Sequence, residues 1–577
     1  MSRWQIREPL PLPENWAKQL SISPLFLQIL LGRHIGNFEE INSYLAARKK
    51  DLVPPRNWPL IPEAANILFE GLSKGKKIAV WGDYDVDGIT ATAVALDILE
   101  EHGIEAGYHL PDRKNEGYGL NIAGIEELAR EGYEVLLTVD CGIADCSAIS
   151  RANELGMTVV VSDHHLPGKA LPPAKAICDP KIGNMDTWPC PHLSGVGVSF
   201  YLMAAVNQLL SGITGKKYKM DRALDLVALG TLADVVPLEG QNRILTRAGL
   251  TQMASNPRPG IAALKTICDI NAAAAISETE VIFRLAPRIN AAGRMSHANL
   301  ALQLLRAKDH FEAANFAAQL EECNKARKLE EDRIYHAARQ QALNLLEKKD
   351  YSSLVLYGSD WHAGIVGIVA SRIVDEFYRP AIVLCDDDGL IKGSGRSIEG
   401  FDLYNALDNV SHCLTGFGGH RLAAGLRLDA KYLEEFREEF DKEAFNSLGE
   451  KPPQPLLLLD CELDFSQASN HEFLQEMELM QPFGPGNEEP LFVSPPLKVV
   501  SRSFIGRTRD HVRLQLKDLK SGYTLYAKAW RMASSFPAEI VDKTIKLAYT
   551  PRFDFYNGNV NIDISIKDWK IWRGGYE

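Results

Sequence analysis

The sequence predicts an α/β protein: a parallel-sheet catalytic domain, a long connecting helix, a second α/β domain and a C-terminal β-barrel. Three observations carry this. First, the apolar runs Ile78-Ala79-Val80-Trp81, Val135-Leu136-Leu137-Thr138-Val139 and Thr158-Val159-Val160-Val161 are separated by helical stretches, as strands covered on both faces by crossover helices are. Second, no Gly or Pro stands between Met295 and Tyr357, a stretch rich in Ala, Leu, Glu, Lys and Arg, which predicts a long helix or helix pair. Third, alternating segments such as His511-Val512-Arg513-Leu514-Gln515-Leu516 and Asn561-Ile562-Asp563-Ile564-Ser565-Ile566 close the chain, the pattern of short half-buried strands.

With 577 residues the chain is long enough for several domains. Residues 1–60 read as a Pro-rich lead-in, and the strand–helix alternation predicts a catalytic domain over 61–305. Helices are expected over Ile89 to Glu101 and Asn121 to Arg130, and a more helical stretch from Ser199 through Gly249. The connecting helix is expected over 306–350. Ser353 to Tyr357 and Ala381 to Cys385 then open a second α/β domain over 351–450. The Pro-rich linker Lys451-Pro452-Pro453-Gln454-Pro455 separates it from the β-module over 455–577.

Hydrophobic residues make up 46% and charged residues 24% of the chain, ordinary globular values. The first residues lack an apolar h-region, and no run approaches the ~18 apolar residues of a membrane span. The nine cysteines include no Cys-x-x-Cys pair, which favours reduced thiols in the cytoplasm over a disulfide frame or zinc site. A net charge of −12 opposes a nucleic-acid partner on its face, since phosphates favour basic surfaces. Residues 501–577, however, hold 14 Lys+Arg against 8 Asp+Glu, and bound cations would cancel much acidity elsewhere.

Each of the three apolar runs ends in metal-ligand chemistry: Asp83-Tyr84-Asp85-Val86-Asp87-Gly88, then Asp140, then Asp163-His164-His165. Alternation along an extended loop is expected to bring Asp83, Asp85 and Asp87 to one side. A lone acidic loop of this kind is usually a solvated turn or helix cap. An EF-hand is excluded because Val94 stands where its Glu is required. Three clusters at three consecutive strand ends are another matter. Carboxylates packed together with imidazoles repel one another without cations, and this donor set suits two Mn²⁺ or Mg²⁺ ions.

In the order of these motifs, with Asp234 in Gly230-Thr231-Leu232-Ala233-Asp234, the sequence resembles the DHH phosphoesterase superfamily. Gly393-Ser394-Gly395-Arg396-Ser397 and Gly418-Gly419-His420-Arg421-Leu422-Ala423-Ala424-Gly425 look like signatures of the second domain found in that family. The likeness covers roughly residues 70 to 450. Together with the β-module it implies an exonuclease specific for single-stranded DNA, working 5′ to 3′ to mononucleotides in DNA repair and recombination. It implies two Mn²⁺ or Mg²⁺ ions on Asp83, Asp85, Asp87, Asp140, His164 and Asp234, with Asp140 bridging. Asp163, a ligand or orienter, and His165, facing the scissile phosphate, are the expected catalytic pair. It also implies a single-strand-binding protein and a helicase as partners, no membrane, and a monomer.

Arg396 and His420 are the candidates for gripping the DNA backbone, and one of Arg113, Arg288 and Arg294, the last two expected on a loop, is the candidate for reading the 5′-phosphate. Guanidinium matches phosphate bidentately, and glycines let main-chain N–H groups approach it. In the C-terminal module Arg502, Arg507, Arg509, Arg513, Lys528 and Arg531 are interleaved with Phe504, Tyr526 and Trp530. That mixture suits stacking on single strands, although aromatics in small β-modules more often fill the core. The competing enzyme reading is a phosphodiesterase of the same superfamily acting on short oligonucleotides or cyclic dinucleotides.

Overall fold

A computed structural model describes the chain except Met1, Lys114, Ala273, Asp388, 450–453, Arg507, 557–558 and 575–577, and the side chains of 555–560. Arg507 and most of the Pro-rich linker therefore lie outside the described residues. Two compact units result: 48–453 with 484–486, and 1–47 with 454–483 and 487–577.

In the first unit, five parallel strands stand in the order Gly107–His109, Ile78–Trp81, Val135–Val139, Thr158–Ser162, Ala176–Cys178. Every residue of Ile78–Trp81 and of Val135–Val139 is buried. Successive side chains leave a strand on opposite faces, and here they feed two different cores. Ile78, Val80, Leu137 and Val160 pack on one face with residues of the helices Ile61–Ser73, Val86–Glu101 and Gly195–Thr214. Ala79, Trp81, Leu136 and Val161 pack on the other with Ile125, Leu128, Ile149 and Ala152 of Ile122–Arg130 and Cys146–Glu154. Each fully buried aliphatic side chain contributes about 1.5–3 kcal/mol, which is why an unbroken apolar run is retained. Gly195–Thr214 is long and apolar enough to cross a membrane, but its apolar surface packs against Val86–Glu101 and Ile61–Ser73. It is a core helix.

Chain order and spatial order differ at one place. The chain forms Ile78–Trp81 first, adds Gly107–His109 on one side, then crosses back to add Val135–Val139 on the other. The connections leaving the neighbouring strands Ile78–Trp81 and Val135–Val139 run in opposite directions, and the crevice between them is where open α/β sheets bind ligands. Asp83 to Asp87 and Asp140 stand at that crevice.

The helix His310–Lys348 runs 39 residues, about 58 Å at 1.5 Å per residue. Asp309 caps it by accepting from the N–H groups of Phe311 and Glu312. Ala313, Ala317 and Leu320 belong to the catalytic core, while Ile334, Ala338 and Ala342 belong to the core of the second domain. One apolar stripe thus serves as a spine for both. The second domain has a mixed sheet in the order Gly416–Gly419, Ala423–Leu428, Leu390–Arg396, Ala381–Asp387, Leu354–Tyr357. Only the last two strands are parallel.

In the other unit the N-terminal residues do not stand alone. Arg3–Ile6 pairs with Leu456–Leu459, and Arg33 grips Asp460 through two bonds of 2.7 and 2.8 Å. Phe26, Leu27, Leu30 and Ile41 share a core with Leu463, Phe492, Leu514 and Ile545. The seven-stranded sheet there pairs Leu497–Ile505, His511–Asp518, Thr524–Ala529, Asn559–Ile571 and Thr544–Tyr556 in succession, and the last pairs back to the first. Phe504, Tyr526 and Trp530 are 38, 52 and 49% exposed. They lie outside the core, each with a cationic group over its ring: Arg502, Arg513 and Lys528 respectively.

Candidate metal centre and phosphate site

Asp85 caps the helix Val86–Glu101, accepting from the Gly88 N–H at 3.1 Å, and Asp87 sits in its first turn. The three aspartates therefore share a site because a loop turns into a helix, not because an extended loop alternates. A Cβ on Gly88 would lie 2.5 Å from the Asp83 nitrogen, so no side chain fits there. Asp87 accepts from the first two N–H groups of the helix Gly195–Thr214, Gly195 at 2.7 Å and Val196 at 2.9 Å, where the positive end of the helix dipole favours an anion. Asp140 has a left-handed backbone, φ 61°, which Asp tolerates better than most residues. A Cβ on Gly195 would fall 2.3 Å from its Oδ1, so the glycine leaves room for this carboxylate.

Asp234 follows the helix Leu224–Ala233 as its C-cap. His164 Nε2 lies 3.1 Å from Asp140 Oδ1, 3.6 Å from Asp234 Oδ2 and 3.8 Å from Asp87 Oδ2. Three overlapping sets arise: Asp83, Asp85 and Asp140; Asp87, His164 and Asp234; and Asp140, His164 and His165, with the ligand atoms of each set within 4.8 Å of one another. Asp140 belongs to two sets. Asp163 is saturated from within: Oδ1 accepts from the His164 and His165 N–H groups and lies 2.8 Å from His165 Nδ1, and Oδ2 accepts from Ile143. It orients the histidines and has little left to offer an ion.

Beside the carboxylates stands a basic group. Arg113 lies over the Tyr84 ring, 4.9 Å from its centroid. Arg294 donates to the Gly364 carbonyl at 2.7 Å, and Arg396 to Ser394 Oγ and the Gly395 carbonyl, both at 2.8 Å. Burial, then the charges of Arg113, Arg327 and Arg396, pull Arg294 down to about 9. Arg396 is lowered by burial and by Arg113. Cations forced together in this way form a ready anion site.

The domain composition is equally specific. Residues 77–231 match the DHH family N-terminal domain, 350–445 the DHHA1 domain and 459–568 the RecJ OB domain. The single-stranded-DNA-specific exonuclease RecJ of Haemophilus influenzae is 34% identical over 95% of this chain and 96% of its own length. The chain belongs to the RecJ family. The Escherichia coli RecJ is 32% identical with 99% of both chains covered. The Bacillus subtilis RecJ is 35% identical over 90% of this chain, which spans 65% of that longer relative. The crystal structure of RecJ in complex with Mn²⁺ from Thermus thermophilus superposes with a TM-score of 0.82 at 28% identity, over 99% of this chain and 80% of that one. A second structure of the Thermus protein holds Mg²⁺.

The residues of this chain fit such ions. Asp83 Oδ1, Asp140 Oδ1, His164 Nε2 and Asp234 Oδ2 are all buried without a hydrogen-bond partner, and buried polar atoms are otherwise nearly always satisfied. Burial and the neighbouring carboxylates raise Asp83, Asp140 and Asp234 far above the usual carboxylate range and Asp87 to about 7. Burial drives His164 down to about 3, leaving a neutral imidazole suited to a metal. For His165 burial works against the charge, but Asp163 outweighs it and holds the ring up at about 9.

One expectation needs correction. Arg288 and Arg294 lie on the helix Ala286–Met295, not a loop, and Arg288 is tied to Glu321 at 2.6 Å and to the Arg284 carbonyl at 2.7 Å, fastening two helices together. His420 is exposed where the chain turns between Gly416–Gly419 and Ala423–Leu428. Arg327, buried on the long helix and bonded to Asn324 and Glu331, and Tyr118, whose hydroxyl lies 3.0 Å from His165 Nδ1, were not singled out by the sequence. Arg327 sits on the helix's buried stripe, and only the glycines flanking Tyr118 hinted at an unusual loop.

Proposed function

We propose that this chain degrades single-stranded DNA from its 5′ end to mononucleotides, as a metal-dependent exonuclease of DNA repair and recombination. The observation that carries this reading is the convergence of four unsatisfied ligand atoms beside the arginine group. We assign one divalent ion to Asp83, Asp85 and Asp140 and a second to Asp87, His164 and Asp234, with Asp140 shared. When bound, a pair of such ions activates water and neutralises charge building on the phosphate. Asp163 fixes His165 with its Nδ1 proton inward, leaving Nε2 for the substrate. With Asp163 on Nδ1, Nε2 is the ring atom left to meet a phosphate oxygen. Arg113, Arg294 and Arg396 bind the terminal 5′-phosphate and set the position at which the strand is cut. The exposed Phe504, Tyr526 and Trp530, under their cations, offer stacking surfaces to unpaired bases. The chain acts as a cytoplasmic monomer, and a single-strand-binding protein and a helicase deliver its substrate.

Strands labelled at either end, with Mn²⁺ or Mg²⁺, test this. Label should leave the 5′ end first as mononucleotide, and a blunt duplex should resist until given a 5′ tail. Equal rates on blunt duplex and single strand, or shortening from the 3′ end, defeat the proposal. Arg396→Ala should raise KM on 5′-phosphorylated strands by about 10- to 100-fold, the scale of one charged hydrogen-bonding group, and change KM on 5′-hydroxyl strands little. An equal effect on both would separate Arg396 from the terminal phosphate.

A further inference from the structure

Between the strand Gly107–His109 and the helix Ile122–Arg130 runs a loop that carries Arg113 and, five residues on, Tyr118. Tyr118 is set by its neighbours. Gly117 and Gly119 have φ values of 84° and 85°, a region that side chains rarely adopt. A Cβ on Gly119 would lie 2.7 Å from Asp145 Oδ2, the atom that accepts from the Leu120 N–H at 2.9 Å. Glu116 holds the other limb, accepting from Asp112 N–H and from Asn121 Nδ2, both at 2.8 Å. The ring is 47% exposed, yet its hydroxyl reaches inward. It donates to the Asp140 carbonyl at 3.3 Å, and its oxygen lies 3.0 Å from His165 Nδ1. The two rings meet edge to face with centroids 5.4 Å apart.

From this geometry we infer that Tyr118 is a positioning residue for hydrolysis, bridging the His165 ring to the main chain of Asp140. His165 Nδ1 has two oxygens in reach, Asp163 Oδ1 at 2.8 Å and Tyr118 Oη. A carboxylate alone fixes the proton on Nδ1 but lets the ring swing about that one bond. A second oxygen, from a different element, fixes the plane of the ring and so the direction of Nε2. Because the same hydroxyl is anchored on Asp140, the carboxylate proposed to serve both ions, the histidine is held in register with them. The loop also carries Arg113, so the terminal phosphate and His165 are aligned by one element.

This inference rests on the role proposed for His165, and its test separates the two. In the full-length protein, Tyr118→Phe removes only the hydroxyl. It should lower kcat on single strands by about 10- to 100-fold, the usual scale for partners that orient a site's ligands, with KM within about twofold. Mn²⁺ affinity, read by calorimetry without DNA, should stay unchanged. His165→Asn should also lower kcat, and adding Tyr118→Phe to it should cost nothing more, because the hydroxyl acts through the ring. Full activity in His165→Asn would overturn the role of the histidine itself. Normal kcat in Tyr118→Phe, a further loss in the double variant, or weakened Mn²⁺ binding would overturn the assignment of Tyr118 alone.

Discussion

Asp140→Asn should lower kcat by at least about 10³-fold at saturating Mn²⁺, the effect of losing ~4 kcal/mol of transition-state stabilisation. Asp140 lies in the Asp83, Asp85 and Asp140 set and 3.1 Å from His164 of the Asp87, His164 and Asp234 set, so its loss should weaken both ions together. Asn is the better probe than Ala because the position has φ 61°, which Asn accepts and Ala resists by about 1–2 kcal/mol. The same change should stabilise the metal-free protein. Asp87, Asp85, Asp234 and Asp83 all push charge off Asp140, and an amide ends that repulsion. A rise in metal-free Tm of at least about 2 °C at pH 8 is expected. Near-normal turnover in this variant would refute the shared carboxylate, and a lower metal-free Tm would refute the repulsion.

Removing the metal should abolish hydrolysis and leave a protein whose stability falls as pH rises. Asp83, Asp140 and Asp234 have folded-state values far above 3.8, and Asp87 stands at about 7. The folded state therefore binds protons more tightly than the unfolded one. That stabilising contribution is complete below about pH 4 and is lost as pH climbs through about 7. His165, held up at about 9, acts in the same direction at still higher pH. With EDTA, Tm should fall between pH 5.5 and 8, and Mn²⁺ should raise it more at pH 8 than at pH 5.5. A metal-free Tm that climbs over this interval would show that the carboxylates are not crowded as described.

The catalytic sheet was legible because its strands are buried on both faces, which forces unbroken apolar runs such as Val135 to Val139. That Asp83, Asp85, Asp87, Asp140 and the Asp163-His164-His165 triad gather at one edge was legible because each follows an apolar strand, and the carboxyl ends of such strands meet at one edge of the sheet. The mechanism that gathers the first three was not. Asp85 caps a helix and Asp87 faces the N-terminus of another helix more than a hundred residues later, a contact no local pattern encodes. The long helix was evident from its lack of Gly and Pro, but its division between two cores depends on what packs against it.

The arginines show the same limit most plainly. Arg113, Arg288, Arg294 and Arg396 are alike in sequence, each a basic residue near a turn or glycine signal. The fold commits Arg288 to Glu321 and crowds the other three around Tyr84 and Arg327, because only packing decides which cations lose their water and their counter-ions. Tyr118 was invisible for a related reason: an exposed aromatic between two glycines reads as a surface loop until the loop's return brings its hydroxyl to His165. The sequence by itself determined the donor types, their order and the sheet that presents them, since local patterning and burial dictate those. The tertiary structure alone decided which charges meet and which residues hold the reacting ones in place, because those contacts form only between segments distant in the chain.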